Sequence, residues 1–320
     1  MVIKMKNKVF DVIPGIYPTM ITPYRNGKID DSAVEQLVEW YWKQGCDGIF
    51  AACQSSEIMF LSLDERVKLT RTVVGKAKEL ADLDTSRKPM MIVASGHISD
   101  SFEEQVRELN AIAAEGSDAL ILISNRMDIE HTSDEKWIAD TEKLIAQLPE
   151  DMPLGIYECP KPYKRLLSEK MLRWCVENGR FYFIKDTCCD AELIAKRLEI
   201  CRGSHVKLFN ANAQTLLQSV KDGGYGYCGV MANFHPALYT RLLSGDLYSH
   251  QTSLLQDFLG LAATIENMTY PCCAKYYLDR FEGIRMEWSA RSADSQKLTA
   301  YQRSCVDQLA ELASAILENK

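Results

Sequence analysis

The stretch FYFIKDTCCD, residues 181–190, sets a single lysine, Lys185, at the end of a run of strand-forming residues. Only a neutral amine attacks a carbonyl, and a free lysine with a pKa near ~10.4 is protonated at neutral pH. Strand alternation puts Lys185 on one face with Phe181 and Phe183. Apolar neighbours there disfavour the ammonium, and a drop of roughly three units yields a working nucleophile. Such an amine condenses with a keto group to a Schiff base. The iminium then accepts the electron pair of an adjacent C–C bond, the step that aldol and retro-aldol chemistry on a 2-keto acid requires. The competing reading is an ion pair between Lys185 and Asp186, Asp190 or Glu158.

Other residues sit where they could serve the same chemistry. Tyr157 ends the preceding apolar run, and strands about 4.8 Å apart would bring its phenol beside the amine as an acid–base. The turn CQSSE, 53–57, offers Gln54, Ser55 and Ser56, with backbone N–H groups near a helix start, for a substrate carboxylate; SSE also reads as an ordinary helix cap. Glu158 is read as an acid–base or as a partner of Lys161, and Asn210 closes the seventh run. His97 is expected at the polar rim and His205 at the opposite end. Cys188 and Cys189 read as buried, inert thiols.

These residues need a scaffold that gathers strand ends. Eight apolar runs alternate with amphipathic segments: 15–22, 48–53, 89–95, 118–124, 153–158, 181–186, 206–210 and 225–230. Helices are expected between them, one ending at Gly45 and another from Ser99 to Gly116. The pattern predicts an α/β fold, a (β/α)8 TIM barrel over 1–235, followed by a C-terminal helical domain over 236–320. In such barrels the reactive residues lie at the C-terminal strand ends.

Composition narrows the partners. With 320 residues, 47% hydrophobic and 25% charged, the chain can bury a large core, and its net charge of −7 gives no footprint for nucleic acid or an anionic membrane. No apolar run reaches the roughly 18 residues of a membrane span. The start MVIKMKNKVFDVIPG lacks a signal-peptide apolar block, so a soluble, cytoplasmic protein is expected. Eleven cysteines without zinc spacing read as free thiols. A small-molecule 2-keto acid and further copies of the chain are the expected partners, with no cofactor and no metal.

Taken together, the chain resembles the dihydrodipicolinate synthase and N-acetylneuraminate lyase family of class I, Schiff-base-forming barrels. The resemblance runs through GIYPTMITPYRNGKIDDSAVEQLVEWYWKQGCDGIF, YECP, FIKDTC, GGYGYCGVMANFHP and YPCCAK. It implies that Lys185 is the Schiff-base lysine, Tyr157 the proton shuttle and Ser55 the carboxylate hydroxyl, in a homotetramer or dimer. The family's hydroxyl-rich turn after strand two is replaced here, with Gln54 at the first relay position. Ser124, Asn125, Arg126 and Met127 stand where the synthase carries its relay tyrosine, and Arg126 is a candidate to bind an acidic substrate instead. Pro162 takes the place of the synthase's substrate-binding arginine, with Lys161, Lys164 and Arg165 nearby. The expectation is a carbon–carbon lyase, aldolase or related dehydratase acting on pyruvate or a longer 2-keto acid. A keto-acid-binding regulatory protein on the same fold and a true dihydrodipicolinate synthase rank behind it.

Overall fold

Apolar runs that are buried on both faces pair most simply in a parallel sheet covered by helices. The computed structural model describes residues 10–318, so most of the N-terminal stretch read for a leader lies outside the described residues. Eight parallel strands form: β1 (Gly15–Ile16), β2 (Gly48–Ala51), β3 (Met91–Ala94), β4 (Ala119–Ile123), β5 (Leu154–Tyr157), β6 (Phe181–Asp186), β7 (Lys207–Asn210) and β8 (Gly226–Tyr227). They hydrogen-bond in the order β1-β8-β7-β6-β5-β4-β3-β2. A bridge between Thr19 and Phe50 joins the first strand's continuation to β2, with Phe50 N donating to Pro18 O at 2.9 Å. The sheet is thereby a (β/α)8 barrel.

Strands β1 and β8 are far shorter than their apolar runs, only two residues each. Gly15 and Gly226 hold φ of +138° and +150°, and a Cβ on Gly226 would lie 1.9 Å from Gly15 O. Only glycines allow this close approach; the β1–β8 ladder spans two residues on each side, and beyond Tyr17 N to Tyr227 O at 2.8 Å the next bond, Thr19 N to Gly229 O, is stretched to 3.5 Å.

The first seven helices return between strands: α1 (Asp31–Lys43), α2 (Leu63–Leu83), α3 (Phe102–Ala113), α4 (Asp134–Ile145), α5 (Glu169–Asn178), α6 (Ala191–Cys201) and α7 (Leu216–Lys221). Side-chain caps fix the starts of α1 to α6: Asp30 accepts from Ala33 N, and Ser62 with Glu65 forms a reciprocal capping box. The cap of α3 is Ser101, not Ser99, whose hydroxyl instead donates to Glu108. Four helices follow the last strand: α8 (Pro236–Ser244), α9 (His250–Ala262), α10 (Cys272–Phe281) and α11 (Ala300–Glu318). Their apolar faces share one core with α1 and α2. Among the described residues, no helix is long and apolar enough to cross a membrane.

The lumen is filled by aromatic rings, with Phe183 stacked on Phe209 at 4.3 Å and Tyr17 edge-on to Phe209 at 4.8 Å. Phe181 does not join them. The register shifts between Leu154 and Gly155, so Leu154 pairs with Phe181 and Gly155 with Phe183. Phe181 therefore packs outside the barrel, 5.4 Å from Trp174. Gly155 is required at this irregularity, because a Cβ there would meet Phe183 O at 2.6 Å and Ile121 Cδ1 at 2.5 Å. Gly155→Ala should lower stability by about 1–3 kcal/mol in urea denaturation.

Candidate functional site

The shifted register has a downstream consequence: Tyr157 and Lys185 become directly paired residues of β5 and β6. Lys185 Nζ lies 4.2 Å from the Tyr157 ring centroid and 5.4 Å from that of Phe50, whose ring meets Tyr157 edge-on. Lys185 is 4% exposed. Among the described residues its amine has no hydrogen bond or ion pair.

The acids around Lys185 are taken by another cation. Arg197, on α6, pairs with Glu158 at 2.9 Å and with Asp186. Glu158 also accepts from Leu167 N at 2.7 Å and Thr187 N at 2.9 Å. Asp190 caps α6. The ion-pair reading of Lys185 is therefore overturned, and Glu158 is neither a free acid–base nor a partner of Lys161. Burial pushes the Glu158 carboxyl up while Arg197 pulls it down.

Tyr157 is enclosed by thiols. Burial, then Cys159 and Cys53, push its hydroxyl well above the usual phenol range. The Cys159 thiol lies beside that hydroxyl and donates to Gln54 Oε1 at 3.5 Å. Gln54 thus reaches the site through Cys159. Burial pushes Cys228, also near Lys185, up to about 12.

The turn after β2 separates the two serines. Ser55 Oγ donates to Thr19 Oγ1 at 3.1 Å and lies beside the Tyr270 hydroxyl. Ser56 Oγ donates to Met20 O at 2.6 Å and accepts from Cys53 N at 3.2 Å, so its hydroxyl is committed to the backbone and Ser56 is corrected to a scaffold residue. The turn ends at Glu57, in the left-handed region at φ +64°, paired in the interior with Lys275 of α10 at 3.3 Å. Lys275 also donates to Ser289 O at 2.6 Å and lies 4.2 Å over the Tyr24 ring. This pair joins the Ser55 turn to the C-terminal helices.

Several expected site residues are built into the scaffold instead. Asn210 donates to Thr215 Oγ1 and Ser219 Oγ and accepts from Asn212 N, which shapes the loop after β7. Arg126 is buried and bound to Asp100 at 2.8 Å, Ile98 O at 3.0 Å and Asn125 Oδ1 at 3.1 Å; its guanidinium is held within its own chain. Arg165 binds Asp128, and Lys164 donates to Thr187 O at 2.8 Å. His97 is fully buried, accepting from Ile123 N and meeting Gln105 Oε1 at 3.1 Å, and burial lowers its pKa to about 4. It is a strand-bridging group, not a rim residue. His205 lies away from the site, packed 4.9 Å from Tyr182. Cys189 is exposed and Cys188 half-buried, against the expectation of burial; desolvation raises both thiols, Cys188 to about 12.

Sequence reasoning missed Thr19, Arg197, Tyr270 and Glu266. Burial raises the Glu266 carboxyl, with Lys185 pulling the other way. Lys275 was visible within YPCCAK, but its partner Glu57 lies 218 residues away.

Comparison with known proteins identifies the architecture. The model of the dihydrodipicolinate synthetase family matches residues 13–278. The chain belongs to this family. A curated relative, 4-hydroxy-tetrahydrodipicolinate synthase of Thermodesulfovibrio yellowstonii, is 26% identical over 223 residues, covering 69% of this chain and 71% of the relative. The solved synthase of Methylacidiphilum fumariolicum superimposes with a TM-score of 0.81 at 20% identity, over 96% of this chain and 98% of that one. The sialic acid aldolase of Ruminococcus gnavus gives 0.80 at 16% identity, over 96% and 98%. These structural likenesses establish the shared fold. The dihydrodipicolinate synthetase family is one of aldolase-type lyases.

The Glu57–Lys275 pair can be tested thermodynamically. Burial holds Lys275 at about 8 against the ordinary 10.5, with Glu57 pulling upward. Below about pH 8 the lysine is protonated in both folded and unfolded chains. Between about pH 8 and 10.5 the unfolded chain keeps a proton that the folded one has released, so this group makes stability rise with pH there. Lys275→Met should abolish that rise in urea titrations. At neutral pH it should cost about 3–5 kcal/mol by leaving Glu57 buried alone, and Glu57→Gln in the same chain should restore part of the loss.

Proposed function

We propose that this protein is a Schiff-base-forming carbon–carbon lyase or aldolase acting on pyruvate or a longer 2-keto acid. The observation that carries the reading is the Lys185 amine, buried against Tyr157 while Arg197 occupies Glu158 and Asp186. Lys185 Nζ attacks the keto carbon, a C–N bond forms, and the carbonyl oxygen leaves as water after protonation. In the cleavage direction the C–C bond β to the iminium breaks, its electron pair moves onto nitrogen to give the enamine, and the far fragment departs as an aldehyde. Tyr157 carries protons to and from the carbinol and enamine. Burial disfavours its phenolate, so the free site holds Tyr157 as the neutral phenol. Ser55 and Thr19 offer hydroxyls for the keto-acid carboxylate. The active unit is read as the barrel, 1–235, with 236–320 as a helical domain, in a cytoplasmic homo-oligomer.

The reaction named for the curated relatives is the second reading. It stands behind the first because two of the three cations after β5 are committed elsewhere, Arg165 to Asp128 and Lys164 to Thr187 O.

Exchange of pyruvate methyl protons in D2O, followed by NMR, reports enamine formation without requiring the aldehyde. The wild type should catalyse it and Lys185→Ala should not, with circular dichroism unchanged. Tyr157→Phe should slow it by about 10²–10⁴-fold. Exchange retained in Lys185→Ala overturns the reading.

A further inference from the structure

Five carboxylates buried in this chain face a cation: Glu57 has Lys275, Glu108 has Arg66, Asp128 has Arg165, and Glu158 and Asp186 share Arg197. Glu266 does not follow this rule. It is half-buried, and among the described residues it makes neither a hydrogen bond nor an ion pair. A desolvated carboxylate without donors is costly, and such groups ordinarily find partners.

Its position is fixed by the segments around it. Preceding it, α9 is pinned to the loop after β7, with Gln256 donating to Ala213 O at 2.8 Å and Gln214 to Gly260 O at 2.9 Å. Following it, Tyr270 accepts from Asn233 at 3.3 Å, and the same amide donates to Thr19 O at 2.9 Å, at the end of β1. The segment carrying Glu266 is thus laced across the strand-end loops of β1, β7 and β8. Its carboxylate interacts electrostatically with Lys185 and Cys189, on and just after β6, and with Tyr270, beside Ser55.

We propose that Glu266 selects the second carbonyl compound, accepting hydrogen bonds from the hydroxyl or amino groups of a neutral or cationic aldehyde and repelling aldehydes that bear a carboxylate. This rests on Lys185 as the Schiff-base former and narrows the substrate class of that site. An unpaired acid at the mouth supplies attraction for donor-bearing substrates and a repulsive element against acidic ones, the two components that specificity needs. The donor-bearing aldehyde also supplies the partners that the carboxylate lacks.

The test is the kcat/KM ratio for adding pyruvate to erythrose, neutral and polyhydroxylated, against succinic semialdehyde, which carries a carboxylate. The wild type should favour erythrose, and the isosteric Glu266→Gln should cut the ratio by about tenfold or more. An unchanged ratio in Glu266→Gln overturns the inference, as does a wild type that prefers succinic semialdehyde, or one that exchanges pyruvate protons yet turns over neither aldehyde. Absence of exchange in the wild type would instead remove the Schiff-base reading on which it stands.

Discussion

One guanidinium decides what Lys185 is. Arg197 reaches from α6 beneath the end of β6 and binds Glu158 and Asp186, the two acids that flank the lysine on β5 and β6. Without it, two carboxylates would be buried unpaired on the outer side of the strands, one residue from the amine in β6 and in the neighbouring β5. With it, the acids are satisfied as a group on the outer side of the strands, and the amine is left facing aromatic rings and thiols. Buried charges demand partners, and the fold supplies Arg197 so that Lys185 is not required as one.

The barrel imposes the same division of labour elsewhere. Residues at strand ends either close loops or face the lumen, and the side chain's partner decides which. Ser56, Asn210 and Arg126 are consumed in holding turns, whereas Ser55, Tyr157 and Lys185 retain hydroxyl or amine groups toward the centre. The C-terminal helices contribute to this arrangement. Lys275 anchors the turn that carries Ser55, and Tyr270 and Glu266 come from the segment between α9 and α10.

Much of this was legible in the chain. Eight apolar runs at helix-length spacing gave the barrel, and period-two alternation with run endings led to Lys185 and Tyr157. Reading fails where the partner is remote or the strand irregular. Nothing near Glu158 announces Arg197, 39 residues onward. Ser55 and Ser56 look equivalent until Met20 O claims the second hydroxyl. Phe181 obeys alternation in sequence but not in space, because the shift beside Gly155 breaks the period. The runs 15–22 and 225–230 reach well past Ile16 and Tyr227, because apolar patterning does not register where the ladder between two strands stops.

The central claim is that Lys185 is the chain's carbonyl-reactive amine. Borohydride reduction in the presence of pyruvate, followed by proteolysis and mass spectrometry, locates any trapped Schiff base. The account predicts one reduced pyruvate adduct per chain, on the peptide containing Lys185, with Lys275 unmodified. An adduct on another lysine, or none with pyruvate or any larger 2-keto acid, would contradict it.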